Sequence, residues 1–233
     1  MAAICTVAGC QVANATLVVD SLVGGAPIGS YKVNFNNLPL GDNGGNSEIA
    51  TGPSGSLTVQ FITDGKTVTG AESGKYAAPY LSSQNGIGFA DGGGNQSPIP
   101  GADTTQYLTT GSGAGRAILT FPVAQTYMGL LWGSVDNYNN LEFFNGNTPV
   151  GIVNGTQVWA AANGDQGQNG TFYVNITSDR PFTSVVASSA TQYAFEFDNV
   201  AFNAVPEPTT VLAGALLLLP FGASTIRGLR RKA

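Results

Sequence analysis

GLLWGSVDNYNNLEFFNGNTPVGIVNG, residues 129–155, decides how the chain is read. It opens with an apolar run around Trp132 that has no helical spacing. A polar segment, 136–140, leads into Leu-Glu-Phe-Phe at 141–144, and Asn145-Gly146 then turns the chain back into 148–153. Asn-Gly is the strongest short hairpin signal, because a type I′ turn needs positive φ at both central residues. A second Asn-Gly at 154–155 predicts a further reversal. The segment therefore reads as a β-meander.

Working outward, further β-branched and aromatic runs are bounded by turn residues. Strands are expected at 31–35, 57–62, 66–69, 116–121, 127–135, 141–144, 149–153, 171–177, 182–187 and 192–202, and 16–20 (TLVVD) is strand-like. In QYAFEFDNVAF, 192–202, Tyr193, Phe195 and Phe197 share one face by period two, while Glu196 and Asp198 point the other way. Val200 and Phe202 fall out of phase, which predicts a bulge near Asp198-Asn199. No stretch before residue 205 has a helical period. Many strands without helices imply an all-β fold, an antiparallel β-sandwich of jelly-roll-like type.

Composition supports a folded body. Of 233 residues 42% are hydrophobic and only 10% charged, with 32 glycines supplying turns. Disordered chains combine low hydrophobicity with high charge, and neither holds here. Up to Val205 five basic residues face thirteen acidic ones, a net of −8. Such a surface excludes nucleic acid as a partner, because that binding is driven by phosphate neutralisation. The chain has no histidine. This excludes Ser-His-Asp and Cys-His catalysis, His-ligated zinc and His-ligated haem.

The two cysteines, Cys5 and Cys10, lie near the start and cannot staple a distant loop. Residues 1–15 read as the end of a truncated secretory signal, with Ala13-Asn14-Ala15 fitting a small-x-small signal-peptidase site. Two alternatives stand beside this reading: an ordinary first strand, and a lipobox-like Val7-Ala8-Gly9-Cys10.

The other end, 205–233, is VPEPTTVLAGALLLLPFGASTIRGLRRKA. Residues 209–226 carry no charge and, as a helix, span about 27 Å, enough for a bilayer core. Arg227, Arg230, Arg231 and Lys232 follow and hold that end on the cytoplasmic side, so the body faces outward. A buried C-terminal helix is the alternative. Val205-Pro206-Glu207-Pro208, the hydrophobic run and the basic tail resemble the PEP-CTERM sorting signal of exported bacterial proteins. The resemblance implies recognition by an exosortase in the membrane, processing near Pro-Glu-Pro, and delivery to the cell surface or extracellular matrix, often in company with exopolysaccharide and biofilm functions. The same segment also goes by the name of an ice-binding protein C-terminal domain. Thr67-Val68-Thr69 occurs here, but no regular Thr-x-Thr array accompanies it. Residues 116–205 resemble the bodies of other exosortase-dependent surface proteins, which carry no known activity.

Three kinds of site are worth weighing. Calcium wants carboxylate, amide and carbonyl oxygens. Asp198 and Asn199 at the expected bulge are candidates, as are Asp42, Asn43 and Asn46, or Asp91 and Asn95, in two similar Asp/Gly/Asn loops. Ordinary turn chemistry explains the same loops. Carbohydrate binding would use Tyr138, Asn140 and Trp159, with Asn139 and Tyr80 nearby, whereas Trp132 and Trp159 also suit core packing. Glycoside hydrolysis needs two carboxylates about 5–10 Å apart, and Glu142, Glu196 and Asp198 offer pairings. The reading expects no catalytic residues and no cofactor beyond a candidate structural Ca2+. It favours a structural or adhesive surface protein, with a carbohydrate-binding module second and a glycan-active enzyme third.

Overall fold

The computed structural model describes residues 15–21, 25–27, 29–82, 101–190 and 192–203. All lie within one unit of the chain, Met1–Asn203. Cys5, Cys10, Ala13, Asp91, Asn95, the Pro-Glu-Pro segment with Val205, Pro206, Glu207 and Pro208, the expected 209–226 helix and the basic tail lie outside the described residues. Among the described residues, no helix is long and apolar enough to cross a membrane.

The fold is mostly antiparallel β-sheet. The strands are β1 (Leu17–Asp20), β2 (Tyr31–Val33), β3 (Ser47–Thr51), β4 (Ser56–Ile62), β5 (Lys66–Val68), β6 (Tyr80–Leu81), β7 (Gly101–Ala102), β8 (Tyr107–Thr109), β9 (Arg116–Gly133), β10 (Asn139–Asn145), β11 (Thr148–Asn154), β12 (Phe172–Ser189) and β13 (Glu196–Phe202). Eleven form one sheet whose main path runs β11-β10-β12-β9-β13-β8-β5, and β6 pairs only with β7.

Two pairs of expected strands are in fact continuous. The runs at 116–121 and 127–135 join as β9, and those at 171–177 and 182–187 join as β12. Each long strand steps out of register once, at a proline. Between Thr177↔Tyr127 and Phe182↔Gln125 the extra residues are on β12 and include Pro181. Between Phe182↔Gln125 and Ser184↔Thr120 they are on β9 and include Pro122. Proline has no N–H to give the ladder, so it sits where pairing lapses. Ser178 closes the β12 step, its Oγ donating to the Arg180 carbonyl at 2.6 Å.

Because of these steps each long strand has different partners along its length. The first part of β9 pairs with β4 and its last part with β13. The first part of β12 pairs with β1 and its last part with β10. One apolar cluster draws on both groups. Phe182 packs edge-on against Phe121 and Phe143, with ring centroids 5.6 and 5.0 Å apart, and Phe121 meets Phe202 at 5.3 Å. Trp132 is wholly buried and stacks on Phe195 at 4.3 Å.

The Asn145-Gly146 hairpin forms as expected, with Gly146 at φ +56° between β10 and β11. Asn154-Gly155 does not turn the chain. It opens a one-turn helix, α1 (Gly155–Val158), in a capping box: Asn154 Oδ1 accepts from Thr156 N and Gln157 N, and Gln157 Oε1 accepts from Asn154 N. The bulge at Asp198-Asn199 is present, with a register shift between Asp198 and Ala201 and Asn199 at φ +53°. The last strand starts at Glu196 rather than 192, and Tyr193 stands 39% exposed, apart from the buried Phe195 and Phe197.

The largest correction concerns the two acids of this strand. Glu196 and Asp198 do not face water: every residue of β13 is buried, and these two are 2% and 1% exposed. Period two places them on the face away from Phe195 and Phe197. That second face is covered too, since Leu131 and Tyr173 pack with Leu81 and Ala26, and Tyr127 and Ala201 pack with Ala26.

Candidate functional site

A buried carboxylate must be hydrogen-bonded or neutralised, and Glu196 shows how this chain does it. Glu196 begins β13 opposite Gly133, the last residue of β9. A Cβ on Gly133 would meet Pro79 at 3.0 Å, so this end of β9 lies close against the segment before β6. That proximity brings in the Ala77 N–H, which donates to Glu196 Oε1 at 3.1 Å. Ser134 follows Gly133 at φ +37°, a conformation that costs a non-glycine residue energy. Its Oγ donates to Glu196 Oε2 at 2.5 Å.

The next residues are held from the other side. Val135 N donates to the Gly170 carbonyl, and Gly164 N to the Val135 carbonyl. Two glycines let the loops close around Asp136. A Cβ on Gly155 would fall 1.9 Å from the Asp136 carbonyl oxygen. One on Gly164, at φ +73°, would fall 2.7 Å from Asp136 Oδ1.

The result is a cleft of about 490 Å³ with Ser134, Asp136 and Glu196 in its wall, the rings of Tyr76, Tyr138 and Tyr193 around it, and the amides of Asn163, Gln166 and Gln192. Tyr138 Oη donates to the Tyr193 carbonyl at 3.5 Å, across the cleft from one loop to another. Lys75 also lines it, but its ammonium is paired with Glu72 at 2.6 Å.

Burial pushes the Glu196 carboxyl up to about 7; the bonds from Ser134 and Ala77 oppose this, and the charge of Asp136 adds to it. Burial also raises Asp136, against a hydrogen bond from Tyr138. The Tyr138 hydroxyl is raised by burial and by Asp136.

The sequence candidates divide sharply around this cleft. Tyr138 and Glu196 line it; Asn140, Trp159, Glu142 and Asp198 are not among its lining residues. Asn140 Nδ2 donates to the Tyr138 carbonyl at 3.2 Å and so backs the loop. Trp159 is half-buried against Phe172, with ring centroids 5.7 Å apart. Asn139 is wholly buried, Tyr80 lies in β6, and Glu142 sits half-buried on β10 opposite Ile152 and Val186.

The calcium candidates have other employment. Asp42 Oδ1 accepts from Gly44 N and Asn46 Nδ2 donates to the Asn43 carbonyl, so this loop is a turn knitted by its own side chains. Asp198 and Asn199 are buried within the sheet, and the Asn199 carbonyl accepts from Tyr173 Oη at 3.1 Å. Calcium takes about six to eight oxygen ligands. Among the described residues, no three or more carboxylate, thiol or imidazole groups stand together.

Of the signal-peptidase site expected from the sequence only Ala15 is described. Its N–H donates to the Val150 carbonyl at 2.9 Å, and Thr16 N donates to Asp179 Oδ1 at 2.9 Å as the chain enters β1. Sequence reasoning missed Ser134 and Asp136: Ser134 fell inside the strand expected at 127–135, and Asp136 opened the polar segment after it. Their one signal was a polar break directly after the Trp132 run. Compared with protein-family models, with curated proteins and with solved structures, the chain finds no match.

Proposed function

We propose that the chain is an exported surface or extracellular-matrix protein whose body holds a glycan in the Ser134–Glu196 cleft, giving it a structural or adhesive role. The single observation that carries this reading is the lining of the cleft: tyrosine rings for stacking on sugar faces, beside amides, a hydroxyl and carboxylates suited to reading hydroxyl groups. Export and sorting rest on the sequence, through the PEP-CTERM-like end, an exosortase as partner, and a membrane-held precursor whose 209–226 helix is removed. Maturation after Ala15 fits the same route, since the ammonium created at Thr16 would face the Asp179 carboxylate.

The body is, in this proposal, a β-sandwich of jelly-roll-like type. The sharing of β9 and β12 between two groups of strands supports it, as does the single aromatic cluster fed by both. Exopolysaccharide is the favoured ligand class. Glycan-array binding by the purified secreted protein tests the reading: binding that weakens at least about tenfold in Tyr138→Ala supports it, while silence across the array, or unchanged binding in that variant, overturns it. Intact mass tests the route. The product is expected to begin at Thr16 and end near Pro208; a surface-located chain still carrying Arg230-Arg231 would refute the processing.

A further inference from the structure

Binding a sugar does not require a serine in a strained conformation to be hydrogen-bonded to a buried carboxylate. We propose that Ser134 and Glu196 form a nucleophile–base pair that cleaves acyl esters, with O-acyl groups on sugar hydroxyls as the substrate class. The substrate class rests on the glycan-holding reading; the nucleophile pair does not.

The geometry has the parts such a pair needs. Ser134 Oγ and Glu196 Oε2 are 2.5 Å apart, within the reach required between nucleophile and base. The Ala77 N–H holds Oε1, which leaves Oε2 directed at the serine. Ser134 sits at φ +37° immediately beyond β9, in the wall of the cleft. Backbone strain of this kind persists where the surroundings over-determine it, and gathers at functional sites. A free carboxylate is a poor base for a hydroxyl, but burial and the neighbouring Asp136 raise Glu196 towards neutrality, where a base works best. The side-chain amides of Asn163, Gln166 and Gln192 supply donors within the same cleft for a developing oxyanion.

The steps balance without any oxidant or cofactor. Ser134 Oγ bonds to the ester carbonyl carbon as its proton passes to Glu196. The tetrahedral intermediate collapses, the bond from carbon to the sugar oxygen breaks, and Glu196 returns its proton to that oxygen, releasing the sugar hydroxyl. Water then attacks the acyl-serine, Glu196 takes and returns a proton, and the carboxylic acid leaves with Ser134 restored.

A fluorophosphonate probe on the full chain tests this, because it bonds covalently to activated serines. Peptide mass mapping should place one adduct on Ser134. Its rate of formation should rise about tenfold between pH 6 and pH 8 as Glu196 loses its proton. Glu196→Gln should slow it at least about a hundredfold and flatten the pH profile, and Ser134→Ala should abolish it. Absence of an adduct on Ser134 in the unaltered protein overturns the pair whatever the variants do, and so does labelling of Glu196→Gln at the unaltered rate. Glycan binding measured on the same unaltered sample separates the two readings: binding without an adduct sinks the nucleophile and leaves the glycan cleft standing.

Discussion

Strands β4 and β13 have seven residues each and look alike in composition of apolar positions, yet they are buried in different ways. In β4, Leu57, Val59 and Phe61 point inward while Ser56 and Ile62 are exposed and Thr58 and Gln60 half-buried. In β13 nothing is exposed, and the two acids are inside with the rest. The first has a core on one face only. The second runs between β9 and the pair β2 and β8, with the aromatic cluster on one face and a second cover on the other. Alternation along a strand therefore reports two faces but not whether both are covered. Where both are, an acid that looks solvent-facing becomes a buried group with a shifted proton affinity.

The comparison can be broken most forcefully at an aromatic residue. Phe197→Ala removes a wholly buried ring packed against Phe35 and Phe195 and should cost about 4 kcal/mol, against about 3 for Leu57→Ala on β4. Urea unfolding midpoints decide this, and equal or reversed losses would deny β13 its central place.

Glu196 gives the next largest effect, and it depends on pH. Its carboxyl rises from 4.5 when exposed to about 7 when folded. The folded state therefore keeps its proton longer than the unfolded one. The Glu196 contribution to stability should be fully present below pH 4.5 and be lost as pH climbs through 7, by about 3 kcal/mol in all. Glu196→Gln should remove that slope between pH 5 and pH 8, and a variant that keeps it would show that Glu196 is not its source.

Backbone approach comes third. Gly155→Ala puts a Cβ 1.9 Å from the Asp136 carbonyl, which should cost about 2 kcal/mol and weaken glycan binding by shifting the Asp136 loop. Gly146→Ala at the hairpin meets nothing within 4 Å and bears only its positive φ, about 1 kcal/mol, with binding unchanged. Thermal melting and array binding of the two variants compare them directly. The smallest effect belongs to the outward side of β4, where Thr58→Ala should stay within about 0.5 kcal/mol at every pH.

Much of this fold was legible because local chemistry and tertiary context agreed. The hairpin at Asn145-Gly146 needs positive φ at Gly146, which glycine supplies wherever it lies. The bulge at Asp198-Asn199 showed as a slip in hydrophobic phase. β3 was not legible: Ser47–Thr51 carries Glu48 and an exposed Ile49, buries only Ala50, and is recruited by edge pairing with β4. β8 was hidden in the polar TTQYLTT at 104–110, of which the fold buries Thr109 and Thr110. Asn154-Gly155 misled because Gln157 completes a capping box, and the same dipeptide then favours a helix start. Of the cleft, Tyr138 and Glu196 were visible as candidates, but Ser134 reads as the end of a strand and Asp136 as a turn residue until β13 is laid beside them.

By itself the sequence determined an antiparallel all-β body, the turn at Asn145-Gly146, the bulge at Asp198-Asn199 and the absence of any histidine-based chemistry. These follow from composition and short-range periodicity, which act over a few residues. Only the tertiary structure decided that Glu196 meets Ser134 across 62 positions of chain, that the Ala77 N–H joins them from 119 positions away, and that the carboxylate is almost wholly buried. Burial and proton affinity depend on what the rest of the chain places around a group, and no local pattern encodes that.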